Sequence, residues 1–346
     1  MGENDHILIL TPGFPKDEED STCIPPLQTY LKAFQQQFPE TKISVIAFQY
    51  PYSDEPYQWN GIEVRPCNGK LKKGLHKAWT WRRAMTLFRS IHHEQAVTQV
   101  HSLWFGECAM IGERIKKKFD IPHVVTVQGQ DAKSDNKWLR RMNLDEMKVV
   151  CLSEQQAAVF KNSTGHQPVV IPWGQAGNSN ALPEKSIDII GVGSLIPVKR
   201  YDMFIRIIAE IMKQKPDLKC VLIGEGEEEQ MLKDSAAELG VADNIEFTGQ
   251  IEHDQVLAYM QGSKVFLHTS QYEGQGIVFE EALAAGCRIC SFQVGGAERS
   301  DRWSIASSEN ALLSETTKFL EQEPLKEGLI RHPISKTIEA YERIYG

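Results

Sequence analysis

No stretch of this 346-residue sequence approaches the roughly 18–20 consecutive apolar residues of a membrane span. The first residues, Met-Gly-Glu-Asn-Asp-His, lack the basic and apolar regions of a signal peptide, and His6 breaks the myristoylation pattern. The expectation is a soluble, cytoplasmic chain. Cysteine is sparse: Cys23, Cys67, Cys108, Cys151, Cys220, Cys287 and Cys290, an odd number widely scattered. That excludes a disulfide framework and fits a reducing compartment. Cys287 and Cys290 form a C-x-x-C, but in a stretch that reads as a strand, where side chains three apart face opposite ways. They are read as small core residues. Positive charge is in deficit, with 38 Lys and Arg against 46 Asp and Glu and a net charge of −8. A dedicated nucleic-acid binder is usually basic, so no nucleic-acid partner is expected. Repeats and low-complexity segments are also missing.

What is present is an ordinary globular composition, 41% hydrophobic and 24% charged, in a length that suits about two domains. Short apolar runs at 6–11, 43–48, 100–105, 123–128, 149–153 and 169–172 read as strands. Helical periodicity separates them at 26–38, 75–91 and 109–119. The pattern weakens over residues 173–186, rich in Gly, Asn, Ser and Pro, which reads as a linker. It restarts with strands at 187–192, 219–223, 245–248, 265–268 and 288–292. Helices are expected at 201–215, 227–239, 254–261, 277–285 and 335–345. The expected fold is α/β: two doubly wound domains, 1–173 and 174–330, facing across a ligand-binding cleft. Residues 331–346 form a closing helix that packs back on the first domain.

The strongest motif runs from His268 through Glu273-Gly274-Gln275-Gly276-Ile277 to Glu280, Glu281 and Gly286. A strand ends, a Gly-rich turn follows and a helix begins, which presents backbone N–H groups to an anion such as a diphosphate. Glu273 and Glu281 can accept hydrogen bonds from sugar or ribose hydroxyls. The plainer reading makes Glu280 and Glu281 carboxylates favoured by the helix dipole. A second strand–loop–helix unit is Gly191-Val-Gly193-Ser194-Leu195 to Lys199-Arg200. It lacks the third Gly of a dinucleotide fingerprint, Ile196 standing there. Gly224-Glu-Gly226 is followed by three glutamates that would repel phosphate. Both details count against a nicotinamide oxidoreductase.

With these motifs in order, residues 187–295 resemble the retaining glycosyltransferases of family 4, of GT-B fold with two Rossmann-like domains. The resemblance also takes in Ile223-Gly-Glu-Gly226 and the run from Ile245 to Gly249-Gln250-Ile251. The first half is similar more loosely, through Gly13-Phe-Pro15 and Val125-Thr-Val-Gln128-Gly-Gln-Asp131. The resemblance implies that Lys199 holds the donor diphosphate, with Ser194 and Arg200 in the same loop. Glu281 would bind ribose, Glu273 the donor sugar, and the amides from Gly274 and Gln275 to Gly276 and Ile277 the phosphate and sugar. Gln250 and Ile251 would lie beside the base, with Gly13, Gln128 and Asp131 on the other domain. Lys199, Glu273, Gln128 and Asp131 are the catalytic candidates.

Three departures from the family stand out. Ser194 replaces an Arg, for which Arg200, at the usual Gly, can compensate. Gln128 replaces a His, so it cannot carry a proton, and Trp173-Gly174 replaces the usual Asn-Gly. No D-x-D motif is present, and the nearest acidic cluster, Asp17-Glu-Glu-Asp20, reads as a solvated loop. The expected activity is a metal-independent, cofactor-free, retaining hexosyl transfer from a nucleotide-sugar to a polysaccharide, oligosaccharide or lipid-linked acceptor. The alternative is a nucleotide-sugar-binding module without transferase activity. Phe14 to Cys23 and Trp104 are candidates for the acceptor side, or else a surface loop and a core aromatic.

From Arg65 to His93 there is no Asp or Glu at all. Arg65, Lys70, Lys72, Lys73, Lys77, Arg82, Arg83 and Arg89 are interleaved with Trp79, Trp81, Leu87 and Phe88. One reading is a solvated helix with its aromatics in the core. The other is a peripheral contact with the anionic inner face of a membrane.

Overall fold

The computed structural model describes residues 1–71, 74–177 and 182–346, with Leu75 and His76 described by backbone alone. The chain divides into two compact units: Met1–Gly174 with Ile334–Gly346, and Gln175–Pro333.

Unit 1 is built on an eight-stranded sheet. Its strands are β1 (His6–Gly13), β2 (Lys42–Tyr50), β3 (Tyr57–Trp59), β4 (Ile62–Pro66), β5 (Gln99–Leu103), β6 (His123–Thr126), β7 (Lys148–Cys151) and β8 (Val169–Val170), in the order β3-β4-β2-β1-β5-β6-β7-β8. Every pairing is parallel except β3 with β4. Buried on both faces, the strands read as near-continuous apolar runs such as Ile7–Leu10. The β3–β4 hairpin escapes the sequence pattern because β3 has only three residues. Its turn, Asn60-Gly61, has φ of 47° and 79°, the left-handed pair that a two-residue hairpin demands.

Unit 2 carries a six-stranded, wholly parallel sheet. It comprises β9 (Ile187–Val192), β10 (Cys220–Ile223), β11 (Ile245–Gly249), β12 (Ser263–His268), β13 (Arg288–Ser291) and β14 (Trp303–Ile305), ordered β11-β10-β9-β12-β13-β14. Alternate residues of each strand feed opposite faces. Ile189, Cys220, Leu222, Val265 and Cys290 pack under the helices Tyr201–Met212 and Glu309–Leu320. Ile190, Val221, Phe266, Cys287 and Ile289 pack under His253–Gln261 and Ile277–Ala284. Cys287 and Cys290 therefore sit in different halves of the core.

Four sequence expectations need correction. Residues 173–186 are not a linker throughout, because Trp173 is buried in unit 1 with its ring 5.3 Å from Tyr30 and 5.8 Å from Tyr341. Residues 178–181 lie outside the described residues. Asp20 is not a solvated carboxylate: it is buried, accepts from the backbone N–H groups of Lys16, Thr22 and Cys23, and receives the Tyr50 hydroxyl at 2.9 Å. The helices Glu154–Thr164 and Glu309–Leu320 are missing from the sequence reading, although Ser153 and Ser308 cap them with side-chain hydrogen bonds. Finally, the cation block is not bare. In and before the helix Leu75–Glu94, Arg65 pairs with Glu63 and Glu94, Lys77 with Glu107, and Arg83 with Asp54. Phe88 is core, and Trp81 donates to Glu107. Lys72 and Lys73 lie outside the described residues.

Candidate functional site

In unit 2 the chain runs from β9 outward to β10 and β11, then returns to lay down β12, β13 and β14 on the other side. The loops after β9 and β12 therefore flank the point where the strand order reverses, the place where open parallel sheets bind ligands. Both motifs read from the sequence occupy these loops.

The loop after β9 passes through Gly193 and Ser194 into a short 3-10 turn, Pro197–Lys199, and then the helix Tyr201–Met212. The loop after β12 is laced to that turn. Thr269 Oγ1 donates to Lys199 O at 2.8 Å, and Ser270 Oγ and Gln271 N both donate to Val198 O. This lacing delivers Lys199 Nζ to Glu273 Oε1 at 2.6 Å. His268 Nε2 lies 3.0 Å from the same oxygen, though off the direction of an aligned hydrogen bond. Burial alone would raise the Glu273 pKa, but His268 and the Lys199 charge outweigh it and hold it at about 2. His268, enclosed, is pushed below its ordinary value by burial against the pull of Glu273. Tyr201 brings its hydroxyl to the same loop, where a Cβ on Gly193 would meet it at 2.9 Å.

Gly224 and Gly226 have a packing role. A Cβ on Gly224 would lie 2.0 Å from Gly193 O, and one on Gly226 2.3 Å from Leu195 O. These glycines let the loop after β10 lie against the loop after β9, sealed by Leu195 N donating to Glu225 O at 2.8 Å.

Gly274, Gln275 and Gly276 lead into the helix Ile277–Ala284. Gly276 is left-handed at φ 73° and no side chain caps the helix; Phe279 N donates back to Gly276 O at 2.9 Å, and the N–H groups of Ile277 and Val278 before it have no partner within the helix. Glu280 and Glu281 take separate roles. Glu280, 1% exposed, is paired with Arg331, whose guanidinium lies 5.0 Å from the Trp303 ring centroid. Glu281 Oε1 receives His253 Nε2 at 2.8 Å. Burial lowers the His253 pKa, yet Glu281 more than compensates and leaves it raised. Exposed Gln250 and half-buried Ile251 immediately precede this pair. Ser194 is exposed. Arg200, left-handed at φ 55°, lies over the Phe292 ring at 5.5 Å, while Lys199 turns to Glu273.

Gly13, Gln128 and Asp131 belong to unit 1. Asp131 is enclosed and accepts from the N–H groups of Phe105 (2.7 Å), Gly129 (2.7 Å) and Gln128 (3.1 Å). Burial raises its pKa against the pull of those donors. Gln128 Oε1 accepts from Trp173 Nε1 at 3.2 Å, which turns its amide nitrogen the other way. Gly13 ends β1 beside Cys23. The sequence reading missed His253, Arg331, Tyr201 and the role of His268. Tyr201 adjoins Arg200, His253 follows Gln250 by three residues and His268 opens the strongest motif, so only Arg331 lay away from every motif. Among the described residues, no group of three or more His, Cys, Asp or Glu is arranged to hold a metal ion, and no helix is long and apolar enough to cross a membrane.

Comparison with known proteins finds relatives of both the sequence and the fold. Residues 175–327 match the family described as Glycosyl transferases group 1. A human phosphatidylinositol N-acetylglucosaminyltransferase subunit is 24% identical over 254 residues, 69% of this chain and 52% of that protein. The chain spans about half the length of the curated relatives it matches. Among solved structures, sucrose-phosphate synthase from Thermosynechococcus elongatus superposes with a TM-score of 0.72 at 16% identity, over 99% of this chain and 98% of that one. Anabaena HepE in complex with UDP-glucose gives 0.69 at 16% identity, over 98% of each. Residues 175–327 are thus similar to the glycosyl transferases group 1 family, and the chain has the GT-B fold that the motifs implied.

Proposed function

We propose that the chain is a retaining glycosyltransferase that moves a hexose-type sugar from a nucleotide-sugar to a polysaccharide, oligosaccharide or lipid-linked acceptor, without a metal ion. The observation that carries this reading is the Lys199–Glu273 pair beside the uncapped helix Ile277–Ala284 at the switch point of unit 2. A cation and an uncapped helix N-terminus suit a diphosphate, and a carboxylate released from that cation suits sugar hydroxyls. The UDP-glucose bound to the HepE neighbour supports a nucleotide-sugar donor.

The roles follow from the charges. Donor diphosphate displaces Glu273 from Lys199, and Glu273 turns to the sugar hydroxyls. Glu281, oriented by His253, accepts from ribose. The bond from the anomeric carbon to phosphate breaks with its electron pair going to the phosphate oxygen. Lys199 and the amides at Gly276 and Ile277 stabilise that charge. The acceptor oxygen bonds to the same face, and its proton passes to the leaving phosphate oxygen. No protein base is needed, which accommodates Gln128. In unit 1, Asp131 holds the loop that carries Gln128.

Peripheral membrane contact belongs to the same proposal. Trp79, Arg82 and Arg89 line one exposed face of the helix Leu75–Glu94, and Leu71 and Lys70 are exposed just before it. Sedimentation with anionic vesicles tests this: Arg82→Glu with Arg89→Glu should abolish binding, and retained binding contradicts it.

The activity is tested by donor turnover across nucleotide-sugars with an acceptor panel, with and without EDTA. Lys199→Ala and Glu281→Ala should each lose at least about a hundredfold, the scale of removing a charge-stabilising group. Wild-type rates in both contradict the site assignment, and EDTA-sensitive turnover contradicts metal independence. Tight donor binding with no turnover favours the binding-module reading.

A further inference from the structure

Glu280 and Arg331 form a buried pair that the proposed reaction leaves unused. Glu280 is 1% exposed on the helix Ile277–Ala284, and Arg331 donates to both of its oxygens, from Nε at 3.4 Å and from a terminal nitrogen. Stability alone does not require such a pair. Apolar side chains of similar volume often serve a buried site as well or better, because two charges must be stripped of water. The guanidinium has a second use. Its fork also donates to Gly296 O at 2.9 Å and reaches Glu298 Oε2 at 3.2 Å, while its plane lies over the Trp303 ring.

The backbone that delivers Arg331 is pinned on each side. Leu329 N donates to Leu283 O at 2.8 Å, and His332 O accepts from Gln175 N at 2.8 Å. The turn that receives it, residues 294–297, closes with Ala297 N donating to Val294 O at 3.0 Å. Within that turn Gly296 N donates to Gln275 O at 2.7 Å, and a Cβ on Gly295 would lie 2.9 Å from Glu273 Cβ. The turn therefore lies directly against the Gly-rich loop that follows β12.

Gln275 O belongs to the peptide that carries the Gly276 N–H. That peptide is trans and planar, so its C=O and N–H point opposite ways. Holding Gln275 O from one side aims the Gly276 N–H out of the other. Gly296 has no side chain to restrain its own rotation, and the guanidinium on its carbonyl supplies the restraint. We propose that Arg331 is a positioning residue for the nucleotide-sugar site: through Gly296 it fixes the peptide of Gln275, and with it the direction of the Gly276 N–H toward the ligand. The identity of the ligand rests on the transferase reading, but the tether does not.

The experiment is hydrogen–deuterium exchange on the full chain without ligand, read over residues 273–279, beside titration with UDP-, GDP- and ADP-sugars. Arg331→Lys keeps a positive charge for Glu280 but has no second arm for Gly296. Arg331→Met with Glu280→Leu removes both charges together, so no buried charge is left unpaired. In both, exchange over 273–279 should quicken about tenfold, as loss of one charge-assisted hydrogen bond implies. Exchange over the helix Tyr201–Met212 should stay unchanged and the melting temperature should be retained. Affinity for whichever nucleotide-sugar the wild type binds should fall about tenfold or more, with KM rising more than kcat falls. Wild-type exchange over 273–279 in either variant overturns the proposal. So does a rise spread over all of unit 2 with a lower melting temperature, or the same local rise in Glu298→Gln, which loses an ion pair but keeps the grip on Gly296. Quickened local exchange with no nucleotide-sugar bound by the wild type supports the tether and removes the donor reading.

Discussion

Arg200 shows how one residue can answer a question that a motif raises. The position ordinarily held by Gly in the resembling family is left-handed here, at φ 55°, and Arg adopts it at a cost of about 1 kcal/mol relative to Gly. Its guanidinium is engaged with Phe292. Arg200→Gly is therefore predicted to hold or raise the melting temperature and to leave donor affinity within about threefold, by titration, which is under 1 kcal/mol. A loss beyond tenfold would give Arg200 the phosphate role that replaces the missing cation at Ser194. Gly224 allows no such latitude. With φ 136° and Gly193 O 2.0 Å from the position of a Cβ, Gly224→Ala should destabilise by about 2 kcal/mol or more and disturb Lys199 through the loop after β9. Denaturant unfolding and donor titration together check this, and a neutral substitution would contradict the packing described. Lys199 and Glu273 were legible in the sequence because each sits beside glycines that announce a strand-to-helix turn. Arg331 was not, because its partner Glu280 lies 51 residues away and only the fold joins them.

At the scale of elements, legibility followed apolar pattern. Most apolar strands and the more strongly periodic helices declared themselves. The three-residue β3 and β14 did not, and the Asn60-Gly61 turn and the Ser153 and Ser308 caps are local signals that apolar periodicity does not capture. The C-terminal helix Ile334–Tyr345 belongs to unit 1 through a chain of buried hydroxyls. His101 Nδ1 meets Tyr345 OH at 2.6 Å, His101 Nε2 meets Thr126 Oγ1 at 2.7 Å, and Thr126 meets Tyr341 OH at 2.7 Å. Tyr341→Phe removes one link without opening a cavity and should lower stability by about 1 kcal/mol. Deleting the helix exposes Tyr30 and Trp173 and should unfold unit 1 at a much lower temperature. Equal stability of the truncated and full chains would contradict the assignment of this helix to unit 1.

For the whole molecule, the charge total of −8 conceals what matters, which is where charges are paired. The run of cations without a carboxylate was real in the sequence, but Glu63, Glu94, Glu107 and Asp54 reach it from outside or from its ends. Pattern along a chain does not reveal partners across it. The buried histidines of unit 1 set the response to acid. Burial lowers His6 to about 4 and His101 and His123 to about 3, against 6.5 unfolded. Below pH 6.5 the unfolded chain takes up protons that the folded chain refuses. These three leave stability flat from pH 8 to 7 and lower it below 6.5, by up to about 1.4 kcal/mol per pH unit for each histidine, while His253, raised by Glu281, works the other way and offsets part of the fall. Glu273, held at about 2, adds a further loss below pH 4.5. Thermal unfolding across this range checks the sign, and a melting temperature that rises between pH 7 and 5 would contradict it.

The central claim is that a nucleotide-sugar binds at Lys199, Glu273 and Glu281. The most direct test is the melting temperature of the chain against a panel of UDP-, GDP- and ADP-sugars. A ligand that binds only the folded state at a hundred times its dissociation constant adds about 2.7 kcal/mol, a shift of several degrees. The account predicts such a shift for at least one donor in the wild type and its loss in Lys199→Ala and Glu281→Ala. No shift with any donor at millimolar concentration, or an equal shift in both variants, would contradict it.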